Sequence, residues 1–132
     1  MSSDQNVQTV KRLFEAFYAA DDAGLDELLG ADFVTHGPGG GTGNAAGWKA
    51  MAHQIQDGVP DTRTNIEDIF GTDDKVVVRY TSRGTHTGEL FGVAPTNRAL
   101  TTSGIEVYRL SDGRIVECWG QYDMSELFAA AE

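Results

Sequence analysis

The periodicity of the apolar residues changes once along this chain, near Pro60. Before that point apolar residues recur every three or four positions, the spacing of a helix with one buried face. After it they fall in β-branched and aromatic runs separated by turn residues, the pattern of strands. A first helix is expected over residues 4–20, with Val7, Val10, Phe14, Phe17 and Tyr18 on one face and Ser3 or Asp4 as its cap. Leu25, Leu28 and Leu29 mark a short second helix ending at Gly30, and residues 31–36 (ADFVTH) a short strand. Trp48, Met51, Ala52 and Ile55 share one face of a third helix over 45–57, stopped by Gly58 and Pro60. Strands are expected over 62–70, 75–84, 98–110 and 114–123, with turns at Gly71-Thr72-Asp73-Asp74 and Ser111-Asp112-Gly113, then a short terminal helix over 124–131. Helices first and a curved antiparallel meander after them make an α+β fold, with the helices packed on one face of the sheet. A bent sheet closed by helices encloses a conical pocket, which suits a small ligand.

Nothing divides the 132 residues. The glycine-rich run from Gly37 to Gly47 is too short for an inter-domain linker, so a single domain over 1–132 is expected. Twenty Asp and Glu oppose ten Lys and Arg, a formal charge of −10. A polyanion is repelled by nucleic acid and by anionic membrane surfaces, so neither is an expected partner. Twelve of the acids are Asp and only three of the bases are Lys, a bias that suits either a protein of high-salt surroundings or an ordinary acidic one. One cysteine, Cys118, leaves no internal disulfide and no multi-cysteine metal site. With no signal-like start and no run of 18 apolar residues, the cytoplasm is the expected location.

Strand alternation sorts the last two strands. In the final one, Ile115, Glu117, Trp119, Gln121 and Asp123 share one face, and Arg114, Val116, Cys118, Gly120 and Tyr122 the other. In the strand before it, Gly104, Glu106 and Tyr108 alternate with Ser103, Ile105, Val107 and Arg109. Both faces mix large apolar groups with acids, as a sheet with a polar-lined cavity or a dimerising sheet would. A bulge would invert part of this assignment. Asp123 beside the Trp119 indole is chemically suggestive. Burial raises a carboxyl pKa towards the neutral range in which a general acid/base works, and an apolar wall supplies that desolvation. The competing assignment makes Asp123 the cap of the terminal helix begun by Met124-Ser125-Glu126.

The stretch from Gly84 to Leu127 resembles the SnoaL-like family of polyketide (ester) cyclases, within the NTF2-like fold. The likeness rests on Gly84-Thr85-His86-Thr87-Gly88-Glu89, Gly92-Val93-Ala94-Pro95-Thr96-Asn97-Arg98 and Gly104-Ile105-Glu106-Val107-Tyr108-Arg109. It continues through Asp112-Gly113-Arg114-Ile115-Val116-Glu117, Trp119 and Asp123, with Phe33-Val34-Thr35-His36 and Pro60-Asp61 upstream. Where relatives often carry an aromatic before Pro-Asp, this chain has Val59. The resemblance implies a cone-shaped barrel of curved antiparallel sheet around a largely apolar cavity. It implies cofactor-independent aldol ring closure of a polyketide ester, a polyketide-like or small apolar ligand, and a homodimer. It also implies that Asp123 is the acid/base: it takes a proton from a carbon between carbonyls, and returns it to the alkoxide formed when the enolate attacks a ketone of the same molecule. Two other readings stay open: a non-catalytic module that binds a small apolar ligand or dimerises through its sheet, and an isomerase or epoxide-hydrolase-type enzyme in the same fold.

The remaining polar candidates are weighed against structural roles. His36 ends a strand at the glycine loop and either binds a substrate oxygen or is a partly buried structural histidine. The resemblance places His86 near the cavity, against a loop-anchoring hydrogen bond. Trp119 is expected to wall the pocket. His53, on a helix, is expected in solvent. Glu106 and Glu117 either face the pocket or, as the nearby Arg79, Arg109 and Arg114 favour, form cross-strand ion pairs. Asp61 is a turn or cap residue. Three scattered histidines have no ligand spacing, so no metal is expected. Gly41-Thr42-Gly43-Asn44-Ala45-Ala46 lacks the strand–helix–strand context of a dinucleotide site, so no cofactor is expected either. Cys118 is expected to be structural.

Overall fold

A computed structural model describes residues 2–127. Three helices, α1 (Ser3–Tyr18), α2 (Asp22–Leu28) and α3 (Ala45–Gly58), cover one face of a six-stranded sheet. The strands are β1 (Leu29–His36), β2 (Thr42–Asn44), β3 (Arg63–Thr72), β4 (Lys75–Thr85), β5 (Ala99–Ser111) and β6 (Arg114–Asp123). Their order across the sheet is β2-β1-β6-β5-β4-β3, so the curved sheet is unclosed, with β2 and β3 as its edges. The expected α+β architecture is present. Among the described residues no helix is long and apolar enough to cross a membrane. Of the terminal helix expected over 124–131, Ser125–Leu127 are helical; residues 128–131 lie outside the described part.

Local chemistry explains most of the boundaries. The Ser2 hydroxyl accepts from the Gln5 backbone N–H at 3.1 Å, and the Gln5 side chain accepts from the Ser2 N–H at 2.9 Å. This capping box makes Ser2 the cap of α1, one residue before Ser3 and two before Asp4, the caps expected from the sequence. Asp21 caps α2 through the Gly24 N–H, and Asn44 caps α3 through the Gly47 N–H. The buried stripe of α1 (Val10, Leu13, Phe14 and Phe17) packs with Val76, Val78, Tyr108 and Ile115 of the sheet in one core cluster.

Three features of the sheet correct the sequence reading. Leu29 belongs to β1 rather than to the second helix. The glycine run contains a short strand, β2, which pairs with Val34–His36. Finally, β1 runs parallel to β6, so the sheet is not wholly antiparallel. Such long-range pairings depend on partners far apart in the chain, which local residue preference does not encode.

Two bulges set which side chains face the helices. In β3 the pairing skips Glu67, and in β6 it skips Val116, because Leu110 pairs with Ile115 and Arg109 with Glu117. Each extra residue inverts the alternation beyond it. Ile115 therefore faces the core while Glu117, Trp119, Gln121 and Asp123 face outward, splitting the set that strict alternation had joined. Cys118, Gly120 and Tyr122 take the inner side.

Candidate functional site

The concave side of the sheet is built in rows. In the first row Val76, Tyr108 and Cys118 lie side by side; next come Val78, Glu106 and Gly120; then Tyr80, Gly104 and Tyr122; and last Thr64, Ser82 and Thr102. Helices α1 and α3 supply the opposite wall through Phe14, Phe17, Tyr18, Trp48 and Met51, and Leu90 and Phe91 of the β4–β5 connection close over it. The cavity between these walls is about 120 Å³. At about 10–15 Å³ per water centre this is room for roughly ten waters, or about 300 Å³ of liquid, the lower end for a small-molecule site.

Among the described residues, Glu106 is the one carboxylate lining this cavity. Its position follows from a glycine: a Cβ at Gly120, its partner on β6, would stand 3.3 Å from Glu106 Oε2. The Cys118 thiol donates to Oε2 at 3.6 Å. Burial pushes the Glu106 pKa up to about 7, while hydrogen bonds from Tyr108 and Cys118 pull it part of the way back. No arginine or lysine forms an ion pair with it among the described residues, so the cross-strand pair favoured from the sequence is absent for Glu106. All four tyrosines of the chain (Tyr18, Tyr80, Tyr108 and Tyr122) line the same cavity. Burial raises the pKa of each, so they remain phenols and act as hydrogen-bond donors near neutral pH.

The other sequence candidates lie elsewhere. Asp123 is exposed on the outer face, where Oδ1 accepts from the Ser125 backbone N–H at 2.8 Å. Hydrogen bonds from the Ser125 side chain and backbone hold its pKa below the ordinary carboxylate value. The buried, raised carboxyl expected beside Trp119 is therefore not found at Asp123, because the bulge at Val116 turns it outward; the local geometry is that of the alternative cap. Trp119 is also on the outer face, 37% exposed, and stacks on His36 with ring centroids 5.6 Å apart. His36 Nε2 and Glu117 Oε2 are 2.7 Å apart, and Arg109 donates to Glu117 Oε1 at 3.1 Å. The His36 hydrogen bond, followed by Arg109, lowers the Glu117 pKa. Here the expected cross-strand ion pair is present, and neither His36 nor Trp119 reaches the cavity.

His86 is fully buried but does not line the cavity either. Its Nδ1 lies 3.1 Å from Thr96 Oγ1, and its backbone bonds Arg98 and Asn97 across the β4–β5 connection. The loop-anchoring role is the one the geometry fits. Asp61 accepts from both the Thr85 N–H and the Thr85 hydroxyl, tying the start of β3 to the end of β4. His53 is exposed and pairs with Asp22. Among the described residues no cluster of three His, Cys, Asp or Glu could hold a metal. Sequence reasoning missed the tyrosines and Ser82 as cavity groups. The shared parity of Glu106 and Tyr108 was the available signal, but it could not say which face was concave.

Residues 8–131 match the model of the SnoaL-like polyketide cyclase family. No curated protein matches the chain. Among solved structures, IdmH of Streptomyces antibioticus, a proposed polyketide cyclase, is 35% identical over 96% of this chain and 97% of its own, with a TM-score of 0.83. AclR of Streptomyces galilaeus, a proposed hydroxylase, is 24% identical over 98% of this chain and 82% of its own, with a TM-score of 0.88. An LEH-like epoxide hydrolase of M. tuberculosis is 17% identical over 98% of this chain and 90% of its own, with a TM-score of 0.72. The last two likenesses establish the shared fold alone. The family match over nearly the whole chain, on a helix-covered curved sheet with a cavity at its centre, makes this protein a member of the SnoaL-like polyketide cyclase family with the NTF2-like fold.

Proposed function

We propose that this protein catalyses cofactor-independent aldol ring closure of a polyketide-like ester, with Glu106 rather than Asp123 as the acid/base. The observation that carries this reading is a single carboxyl group, its pKa raised to about 7 by burial, in a cavity lined mostly by apolar and phenolic side chains, with Arg83 and the hydroxyls of Thr62, Ser82 and Thr102 as the other polar groups. At that pKa both protonation states are populated near neutral pH, which favours a group that must first take and then return a proton. The Glu106 carboxylate removes a proton from a carbon flanked by carbonyls. The C–H electron pair becomes an enolate, the enolate carbon bonds to a ketone of the same molecule, and the new alkoxide takes the proton back from Glu106. The cavity folds the chain so that the reacting carbons meet and keeps bulk water away. The reaction is redox-neutral and the steps balance with the protein's own groups. Ring closure needs a single proton shuttle, which matches the one carboxylate in the lining; an epoxide-hydrolase-type reaction would in addition need a water held beside that acid.

The test is proton exchange. β-Keto esters bearing a distal ketone are incubated in D2O, with α-deuteration and ring closure followed by NMR. The native protein accelerates both, and Glu106→Gln abolishes both. Absence of exchange with the native protein across such a series would favour the binding-module reading.

The outer face supports a homodimer. Phe70, Val77, Val107 and Trp119 form one row across four strands, beside Ile105. Phe70 is 57% exposed and Ile105 51%. An apolar row of this kind marks an association surface. Sedimentation should find a native dimer and an Ile105→Asp monomer; a monomeric native protein overturns this. The lone buried Cys118 suits the reducing cytoplasm.

A further inference from the structure

A chain of hydroxyls two rows along the sheet from the carboxyl has no role in the proton shuttle proposed for Glu106. Thr64 Oγ1 and Ser82 Oγ are 2.7 Å apart, and the Ser82 hydroxyl donates to the Tyr18 hydroxyl at 3.2 Å. A serine has one O–H to give. With it committed to Tyr18, Ser82 accepts from Thr64, and the chain runs in one direction from β3 through β4 to α1. The Tyr18 proton is left over, and among the described residues no protein group accepts it. Tyr18 and Ser82 both line the cavity. Successive donors in such a chain polarise one another, which strengthens the terminal one. Two phenylalanines hold the Tyr18 ring, Phe17 at 5.1 Å and Phe14 at 6.2 Å between centroids, so the donor is fixed in place before a ligand enters. Glu106 is near enough to act electrostatically on Tyr18, which places acid/base and donor around the same space.

We infer that Tyr18 is the oxyanion donor of this site: its phenol gives a hydrogen bond to the oxygen that becomes negative when the substrate enolises, and Ser82 and Thr64 aim it. The inference rests on the proposed carbon-acid chemistry. The Tyr18 proton is not transferred; it stays on the phenol while the charge develops and is dispersed. Such a donor assists most where charge appears, so its removal lowers turnover more than substrate binding. It also restricts the substrate to one whose enolising carbonyl points to α1 while its acidic carbon faces β5.

Two measurements test this. Tyr18→Phe keeps the ring and its packing. It should lower α-proton exchange about 10²-fold, with KM little changed, and Ser82→Ala should lower it less. The second measurement does not depend on turnover. In a Glu106→Gln background, 4-nitrophenolate serves as an enolate mimic and 4-nitrotoluene as its neutral counterpart. Adding Tyr18→Phe should weaken the phenolate by about tenfold or more and leave nitrotoluene binding unchanged. The inference is overturned if the phenolate fails to bind, or if Tyr18→Phe alters neither its affinity nor exchange beyond about twofold. Exchange that survives Glu106→Gln, together with phenolate binding that needs Tyr18, would instead remove the Glu106 assignment and keep the oxyanion site.

Discussion

Glu106 and Glu117 stand on neighbouring strands and point to opposite sides of the same sheet. Inside, Glu106 meets a thiol, a phenol and apolar walls, and its proton is held up to about pH 7. Outside, Glu117 meets His36 and Arg109 and is held ionised. The side chains are chemically identical, so the difference is environmental: burial without an ion pair favours the neutral acid, and hydrogen bonding with His36 and the Arg109 guanidinium in partial solvent favours the carboxylate. One face of the sheet holds a group able to exchange protons near neutrality, and the other a fixed charge pair beside an apolar row.

The sharpest way to break this contrast is to neutralise each glutamate in turn. Glu106→Gln should lower α-proton exchange by about 10²–10⁴-fold, the range for loss of a positioned acid/base. Glu117→Gln should leave it nearly unchanged. Equal effects on the exchange rate would mean that the two faces are not functionally distinct.

Stability against pH sharpens the comparison further. Because the folded Glu106 pKa is raised, the native state keeps a proton that the unfolded chain releases. Stability therefore falls as pH rises from the ordinary glutamate value, 4.5, to about 7. The associated loss is up to roughly 3 kcal/mol, and Glu106→Gln should remove it. Glu117 has the opposite sign: its lowered pKa stabilises the fold above the ordinary glutamate value, and that contribution disappears as pH falls through the lower folded value. Glu117→Gln should flatten the acid limb by a smaller amount, because the pair is partly in solvent. Urea titrations of the three proteins between about pH 3 and 8 separate the two limbs. The smallest effect is expected at Asp123. Asp123→Asn should retain exchange and lose only a weak cap, and a collapse of exchange in that variant would return the acid/base role to the outer face.

Much of the architecture was legible from local pattern. The α1 stripe, the break at Pro60 and the Asp112-Gly113 turn each follow from side-chain spacing or a backbone preference that a few residues set. Phe14 and Phe17 read as core because both lie on the buried helical stripe. The site was less legible. Asp123 and Trp119 looked like pocket residues because a carboxyl beside an indole suits an acid/base and the family resemblance assigned it that role, and one extra residue at Val116 puts both on the face opposite Ile115. Nothing in Arg114-Ile115-Val116-Glu117 announces that bulge.

By itself the sequence determined the three main helices and the four strands after Pro60, the acidic composition, and a set of polar residues among apolar ones from which a site could be drawn. Only the tertiary structure decided which of them share a cavity. Residue identity sets what a side chain can do, but its pKa and its partners depend on the groups that long-range pairing brings within a few ångströms. For Glu106 those groups are the thiol of Cys118, the phenol of Tyr108 and the vacant side-chain position at Gly120.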